Sequence, residues 1–329
     1  MNELEMDASF ETGLLYIPVR PKTPGDDQRL ARALEQLTAE DPTIRVQIDQ
    51  QSREALLGGT GELHLEIIVG RLKREFNVDA SVGSPQIAYR EALTRPAEGE
   101  MKYAMHVRGH AQYAHVKLRL LGAPRGKDYV FVNAITGVSI PSQYIESVEA
   151  GIREALARGI VAGYPTGGVQ VELCGGSYHD VHSTKATFKI AGFLAARDAI
   201  QKAAPVLLEP VMLLEVTVPE AHVEEGLGNI VSRRGEIDSL QDCGGTCVIL
   251  ARAPLAELFG FAADLRERTN GRGAFKTRFY RYQPRRRAGG DGDERESMVG
   301  APLKPRLDPL VTAVALPEPD ERPDDLQAT

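Results

Sequence analysis

The sequence predicts an α+β protein of three domains, in which two ferredoxin-like split β-α-β domains flank a longer middle domain. The length of 329 residues exceeds what one hydrophobic core usually serves. The order strand, helix, strand, strand, helix, strand occurs near both ends of the chain, and the part between has a different order of elements. The predicted domains are residues 13–85, 86–205 and 206–283, with disordered ends at 1–12 and 284–329.

The first domain is predicted from its hydrophobic periodicity. Strands are expected at 14–19, 44–48, 55–58 and 78–82, and a helix at 26–40 with apolar residues at helical spacing. A second helix follows the glycines at 59–61 and ends near residue 76. Its sequence places Leu63, Ile67 and Leu72 near one apolar face, alongside Ile68 and Val69.

The last domain repeats the pattern, with strands at 211–218, 235–240, 246–251 and 274–280 and helices at 221–233 and 254–269. In the middle domain, strands are expected at 116–120, 129–133 and 169–173, and helices at 142–158 and 189–203. Ser142 is the expected N-cap of the first of these helices, and Gly159 its stop. A glycine-rich loop is expected after residue 173.

Composition excludes several classes of protein. The net charge of −7 gives no basic coat, so any RNA contact must be concentrated in loops. The three cysteines do not form the dense, even set of a secreted disulfide framework, which favours a reducing, cytoplasmic compartment. No metal site is assigned. The acidic start does not resemble a signal peptide, and no apolar run is long enough to span a membrane.

No nucleotide-binding motif is recognised. The nearest approach to a phosphate-binding loop is residues 122–128 (GAPRGKD), which has one residue too few between its glycines. Asp128 also stands where a hydroxyl should ligate magnesium. We therefore interpret this segment as a hairpin turn, and we expect no cofactor in this chain.

Several strings resemble the elongation factor G family. Residues 61–76 (GELHLEIIVGRLKREF) are similar to its domain III, and residues 112–116 (QYAHV), 139–149 (SIPSQYIESVE) and 175–182 (GGSYHDVH) to its domain IV. Residues 232–235 (SRRG) and 269–273 (TNGRG) are similar to domain V. The resemblance implies that the middle domain is an elongated arm with a left-handed β-α-β fold. His182 stands where the family commonly has Asp.

The resemblance implies a tip on this arm that contacts messenger and transfer RNA at the decoding centre. The tip residues carried over are Gly175, Gly176, Ser177, Tyr178, His179 and Asp180, with Gln112 in a neighbouring loop. Paired glycines permit close backbone approach, while Tyr and His side chains stack on bases or donate hydrogen bonds.

The resemblance also implies that the last domain binds ribosomal RNA. Arg233, Arg234 and Arg272 are the expected contacts, because guanidinium groups pair with phosphates. A solvated helix end remains an alternative for the Arg233–Arg234 pair. His64, near the start of a helix, is interpreted as a structural hydrogen-bonding group and not as a catalytic one.

These features predict a ribosome-binding module for tRNA–mRNA translocation. The GTPase and β-barrel domains with which family members start are not found in this sequence, so GTP hydrolysis would need a separate GTPase part with its GTP and magnesium. The expected partners are the ribosome, with its ribosomal RNA and tRNA–mRNA, and a separate GTPase subunit is a further candidate. Two alternatives remain: a ribosome-associated regulatory or antibiotic-resistance protein, and a truncated factor with no independent role.

Overall fold

The computed structural model describes residues 13–23, 25–48, 54–107, 110–135 and 139–285. Residues 1–12 and 286–329 of the segments predicted to be disordered lie outside this part of the chain. Pro284, the first residue of the predicted tail, is the last residue of a strand. Within it, three β-sheets and six α-helices confirm the α+β class.

The first sheet has the ferredoxin-like order. Its elements are β1 (Leu15–Pro21), α1 (Asp27–Glu40), β2 (Arg45–Ile48), β3 (Ala55–Gly59), α2 (Glu62–Phe76) and β4 (Ala80–Val82). The strand order is β2-β3-β1-β4 with every neighbouring pair antiparallel, as a β-α-β-β-α-β chain requires. Both helices cover one face of this sheet and bury its apolar residues in a common core.

The buried face of α2 differs from the prediction. Leu65, Ile68 and Leu72 are buried, whereas Leu63 and Ile67 are 62% and 50% exposed. Residues 65, 68 and 72 follow the i, i+3, i+7 spacing of one stripe, and residues 63 and 67 form the adjacent stripe. The prediction was therefore right for Leu72 and Ile68, and for Val69, which is partly buried against the same core, and it was wrong for Leu63 and Ile67. His64 has the structural role expected of it, because its Nδ1 accepts from the Thr60 amide at 3.2 Å.

Two short strands, β5 (Gln86–Ile87) and β6 (Arg90–Ala92), lead into the middle domain, and neither was predicted. That domain contains β7 (Ala97–Val107), β8 (His110–Gly122), β9 (Tyr129–Asn133), α3 (Ser142–Arg158), β10 (Val169–Ser177) and α4 (Lys185–Lys202). Its sheet has the order β7-β8-β10-β9, in which β9 and β10 are parallel and are connected through α3. The left-handedness of this β-α-β connection stays a prediction.

The structure corrects three details of the middle domain. Strand β7 was not predicted. Residues 122–128 are not a hairpin turn, because β8 and β9 lie on opposite sides of β10 and the segment must cross the end of that strand. Ser142 is the first residue of α3 and not its cap, a position that Pro141 occupies, while Gly159 ends the helix with a φ of 57° as expected.

The last domain repeats the first in topology. It contains β11 (Val206–Pro219), α5 (Val223–Ser232), β12 (Glu236–Asp242), β13 (Thr246–Pro254), α6 (Phe261–Arg268) and β14 (Ala274–Pro284). The strand order β12-β13-β11-β14 is equivalent to that of the first sheet. The predicted helix at 254–269 is interrupted: a 3-10 turn, Leu255–Glu257, precedes α6.

The segment that carries β5 and β6 connects all three domains. Strand β5 pairs with β1 of the first sheet, and β6 pairs with β11 of the last sheet. Between them, the Ala88 carbonyl accepts a hydrogen bond of 2.8 Å from the hydroxyl of Tyr282 on β14. The cores of the two outer domains merge here into one apolar cluster that also includes Tyr164 of the middle domain.

Glu91, on β6, attaches this segment to the middle domain. Its carboxylate is fully buried and accepts from the amides of Ile160 at 2.7 Å, Ala162 at 2.9 Å and Tyr164 at 3.4 Å. Its own amide donates to the Pro165 carbonyl at 2.9 Å. The loop after α3 therefore wraps around one carboxylate that supplies acceptors for its backbone donors.

We expect Glu91→Gln to lower the free energy of unfolding by about 2–3 kcal/mol, because the amide removes the charge and turns an NH2 group toward backbone donors. Circular dichroism during urea denaturation measures this change. Glu98→Gln is the matched control: Glu98 is exposed and pairs with Arg119 on the sheet surface, so its loss costs under about 1 kcal/mol. Equal effects of the two variants would contradict the role of Glu91.

Candidate nucleic-acid interface

The predicted tip residues lie at one end of the middle sheet. Strand β10 runs antiparallel to β8 and parallel to β9, so β8 begins where β9 and β10 end. Helices α3 and α4 also begin at this end, because each follows one of the ending strands. The loop 178–184 that leaves β10 is therefore grouped with the β9–α3 connection and the start of β8.

Gly175 and Gly176 belong to β10 and not to a loop, which corrects the prediction. A β-bulge after Leu173 accommodates one extra residue, Cys174, and the strand then continues beside β8. A Cβ atom on Gly176 would lie 2.0 Å from the carbonyl oxygen of His115, so the two strands approach too closely for any other residue. At Gly175 the nearest atom would be 4.0 Å away.

Gln112 and Ser177 are both in strands, and both make contacts within the domain. Gln112 lies in β8, not in the predicted loop, and its Oε1 accepts from the Tyr103 hydroxyl at 3.4 Å. The Ser177 Oγ is 2.7 Å from the Tyr113 hydroxyl and 3.1 Å from His115 Nδ1. These two polar side chains support the tip and are only partly exposed.

Tyr178, His179 and Asp180 follow the end of β10, and all three are exposed. The exposed fraction of Tyr178 is 38%, so part of its ring surface is accessible to a ligand. A tip that contacts RNA requires Tyr178 and His179 to be accessible, and their exposure meets this requirement. Their binding of RNA stays a prediction.

Local hydrogen bonds hold His179 in a defined orientation. Its amide donates to the Ser183 Oγ at 2.9 Å, and its Nδ1 accepts from the Val181 amide at 3.2 Å. The ring stacks on His182, with 4.4 Å between the ring centroids. An acceptor at Nδ1 assigns the proton of the neutral ring to Nε2, so a hydrogen-bond donor is available on the free edge. Sequence reasoning did not anticipate the stacking partner His182.

The base of this loop is fixed to the domain. The hydroxyl of Ser183, a buried residue, donates to the Tyr113 carbonyl at 2.8 Å. Thr184 caps α4: its Oγ1 accepts from the Thr187 amide at 3.1 Å, while Thr187 Oγ1 accepts from the Thr184 amide at 2.8 Å. Such a reciprocal capping box defines where the helix begins. The exposed residues are thus presented by a short loop with both ends anchored.

In the last domain, Arg233 is largely enclosed. Its side chain is 17% exposed, pairs with Asp264 and donates to the carbonyl oxygens of Glu257 and Phe259. It also donates to the Asn229 Oδ1 at 2.9 Å. These bonds connect the end of α5 to the turn before α6. The RNA contact predicted for Arg233 stays a prediction, but the structure gives this side chain an internal role.

Arg234 also has partners within the protein. It pairs with Glu209, a buried residue of β11, and with Glu257 at 3.3 Å. Burial raises the pKa of the Glu209 carboxyl, and the charge of Arg234 opposes that rise. Arg234 has a φ of 58°, so the turn after α5 directs the guanidinium back toward the sheet.

Arg272 is the most accessible of the three predicted arginines. It lies in the exposed turn after α6, in which Asn270 and Gly271 both have positive φ. Its Nη2 is 3.1 Å from the Nε2 of His222, a neighbour that the sequence did not predict because it belongs to a distant turn. Arg272 and the arm-tip residues belong to different domains, so the structure does not combine them in one site.

The described residues hold neither a grouping of metal ligands nor a helix suited to span a membrane. No three His, Cys, Asp or Glu side chains of the described ranges are grouped closely enough to hold a metal ion. Among the helices of these ranges, none is both long and apolar enough to cross a bilayer.

Three family models match consecutive parts of the chain. Elongation factor G domain III matches residues 12–84, domain IV matches residues 85–204, and the elongation factor G C-terminus matches residues 206–288. This order defines a part of a translation elongation factor. The chain belongs to the elongation factor G family.

A crystal structure of a protein from Thermus thermophilus is similar to this chain, with 37% sequence identity and a TM-score of 0.63. The similarity covers 83% of this chain and 41% of that protein. The chain therefore spans well under half of the length of this relative. The activity of a whole factor is consequently a matter for proposal.

We expect Gly176→Ala to destabilise the middle domain by about 2–4 kcal/mol, because the added methyl group collides with the backbone of β8 and overpacking forces the strands apart. Gly175→Ala is the control, since its methyl group meets no atom nearer than 4.0 Å, and the change should cost under about 1 kcal/mol. Thermal denaturation of both variants compares them, and a Gly176→Ala variant as stable as Gly175→Ala would refute the close approach.

We expect Arg233→Ala to lower the free energy of unfolding by about 2 kcal/mol, because it leaves Asp264 and two carbonyl oxygens without their donor. Arg272→Ala, a change of an exposed arginine, should stay within about 0.5 kcal/mol. Urea denaturation measures both. If Arg233→Ala were as stable as Arg272→Ala, the internal role of Arg233 would be wrong.

Proposed function

We propose that this chain is a ribosome-binding module of translation elongation, which acts where messenger and transfer RNA move. The observation that carries the proposal is the anchored, exposed Tyr178–His179 pair at one end of the middle domain. It lies within the residues that the domain IV model matches. The proposed partners are ribosomal RNA and the tRNA–mRNA pair, and the proposed location is the cytoplasm.

The chemistry of the loop suits RNA whose bases or riboses are accessible. The Tyr178 ring offers a stacking surface, and the Nε2 of His179 offers a donor to a phosphate or a ribose hydroxyl. Both act through shape and local hydrogen bonds, so they do not need a basic protein surface. That property fits a chain with a net charge of −7.

In this proposal the action is steric, and the chain is not an enzyme on its own. The middle domain would occupy the space that RNA must leave or enter, while the last domain holds the module on ribosomal RNA through Arg272. A separate GTPase part would have to supply GTP, magnesium and the rearrangement that follows hydrolysis. Bound without that part, the module should not turn over efficiently.

We expect a Tyr178→Ala/His179→Ala variant to bind ribosomes about 10-fold more weakly than the unchanged chain, because stacking and a donor are both lost. Co-sedimentation with ribosomes at low salt measures this, and binding should weaken further as the salt concentration rises. Leu240→Ala, which shortens an exposed side chain on β12, is the control and should not change binding.

A chain that stays in the supernatant at low salt would contradict the proposal, as would equal binding of the tip variant and the control. The same variants in a translation assay distinguish the alternative functions. Ribosome binding that protects translation from a drug, without supporting movement of tRNA, would indicate a regulatory or resistance protein.

A further inference from the structure

The open face of the last sheet has an exposed aromatic ring among positively charged side chains. Helices α5 and α6 cover the other face, where Leu214, Val216 and Ile249 are buried. The intervening residues of β11 and β13 point to the opposite side and are partly or fully exposed. Strand β14, at the edge of the sheet, contributes Tyr280 to this side, and its ring is 42% exposed.

Tyr280 is the extra residue of a β-bulge opposite Val211 and Met212. Two guanidinium groups lie next to its ring: that of Arg281 is 5.1 Å from the ring centroid, and that of Arg252 is 5.7 Å from it. Arg252 is fixed by Asp238, with donor distances of 2.6 and 2.9 Å. The bulge and this ion pair thus arrange three planar groups on the open face.

Two further cations lie along the same edge. Lys276 and Arg278 are two residues apart in β14 and therefore share a face, with about 7 Å between them. The Lys276 side chain is 84% exposed, and its nearest carboxylate, that of Glu215, is 3.9 Å away. Arg278 makes no ion pair with any residue of the described ranges. These positive charges favour a polyanion beside the ring.

We infer that this face binds single-stranded RNA, with bases stacked on Tyr280 and its neighbouring guanidinium groups and with phosphates at Lys276 and Arg278. A four-stranded sheet of β-α-β-β-α-β topology with exposed aromatic rings is a known platform for unpaired bases. Ring–guanidinium pairs alone would stabilise the edge of the sheet, but they do not require the additional exposed cations. A duplex would not fit, since its bases are already stacked on each other.

The inference goes beyond the proposed function, which places RNA contacts at the arm tip and at Arg272 and assigns none to this face. Fluorescence anisotropy of a labelled ten-nucleotide RNA without self-complementarity, titrated with the full chain at low salt, measures the binding. Tyr280→Ala should weaken it about 10-fold, and Tyr280→Phe should keep it because the ring remains. When the logarithm of the affinity is plotted against the logarithm of the salt concentration, a Lys276→Ala/Arg278→Ala variant should have a slope that is shallower by about 1.4. This is roughly 0.7 for each lost phosphate contact.

Leu240→Ala, on the opposite edge of the same sheet and similarly exposed, is the control and should bind as tightly as the unchanged chain. Three results would each overturn the inference. The Tyr280→Ala variant could bind the RNA as tightly as the unchanged chain, or the unchanged chain could bind a duplex of the same length equally well. The third result is that only Tyr178→Ala weakens binding. An acidic segment of this chain is the other candidate ligand for a positively charged face. A synthetic peptide of residues 317–325, which holds five acidic residues, tests it. If that peptide bound at Tyr280 and RNA did not, the face would belong to the acidic segment.

Discussion

The buried carboxylate of Glu91 is the contact on which the arrangement of the three domains depends. It accepts hydrogen bonds from three amides of the loop after α3, while its own backbone lies in a strand paired with the last sheet. Gly159 makes room for it, because a Cβ there would meet the Tyr164 carbonyl oxygen at 2.0 Å and the carboxylate at 2.7 Å. A side chain two atoms shorter could not reach the loop, and an apolar one would leave the amides unsatisfied.

The Glu91 contact lies where the middle domain joins the two outer domains. The connecting segment supplies strands to both outer sheets, and the outer cores merge around it. Together with the short connection from α4 to β11, it joins the middle domain to the two outer domains. The exposed residues of the arm begin at the far end of β10, whose near end follows directly from the loop around Glu91. Strand β10 is paired with both β8 and β9 as far as Leu173 and with β8 alone as far as Ser177. This pairing resists bending and connects the loop around Glu91 to Tyr178 and His179 through an ordered strand.

Sequence periodicity predicted the two outer folds and most of the helices, because both depend on local patterns of apolar residues. Strand Tyr129–Asn133 and helix Ser142–Arg158 have the predicted limits. The pattern did not predict β5 and β6, since two- and three-residue strands are defined by partners far along the chain. It also placed Gly175 and Gly176 in a loop. Glycine occurs both in flexible loops and where two backbones approach closely, and the sequence does not distinguish these cases. The position of the His115 carbonyl shows that Gly176 is a case of close approach.

The arginines differ in how much of their hydrogen-bonding capacity the protein itself uses. Arg233 and Arg234 stand next to each other in a string shared with the family, yet both guanidinium groups are used inside the domain. A guanidinium that already donates to carboxylates and carbonyl oxygens has few donors left for a phosphate, and freeing it would expose a buried acid such as Glu209. Accessible cations on strands and turns, such as Arg278 and Arg272, carry no such cost. In a chain of net negative charge, the cations that remain outside internal pairs therefore determine where a polyanion can bind.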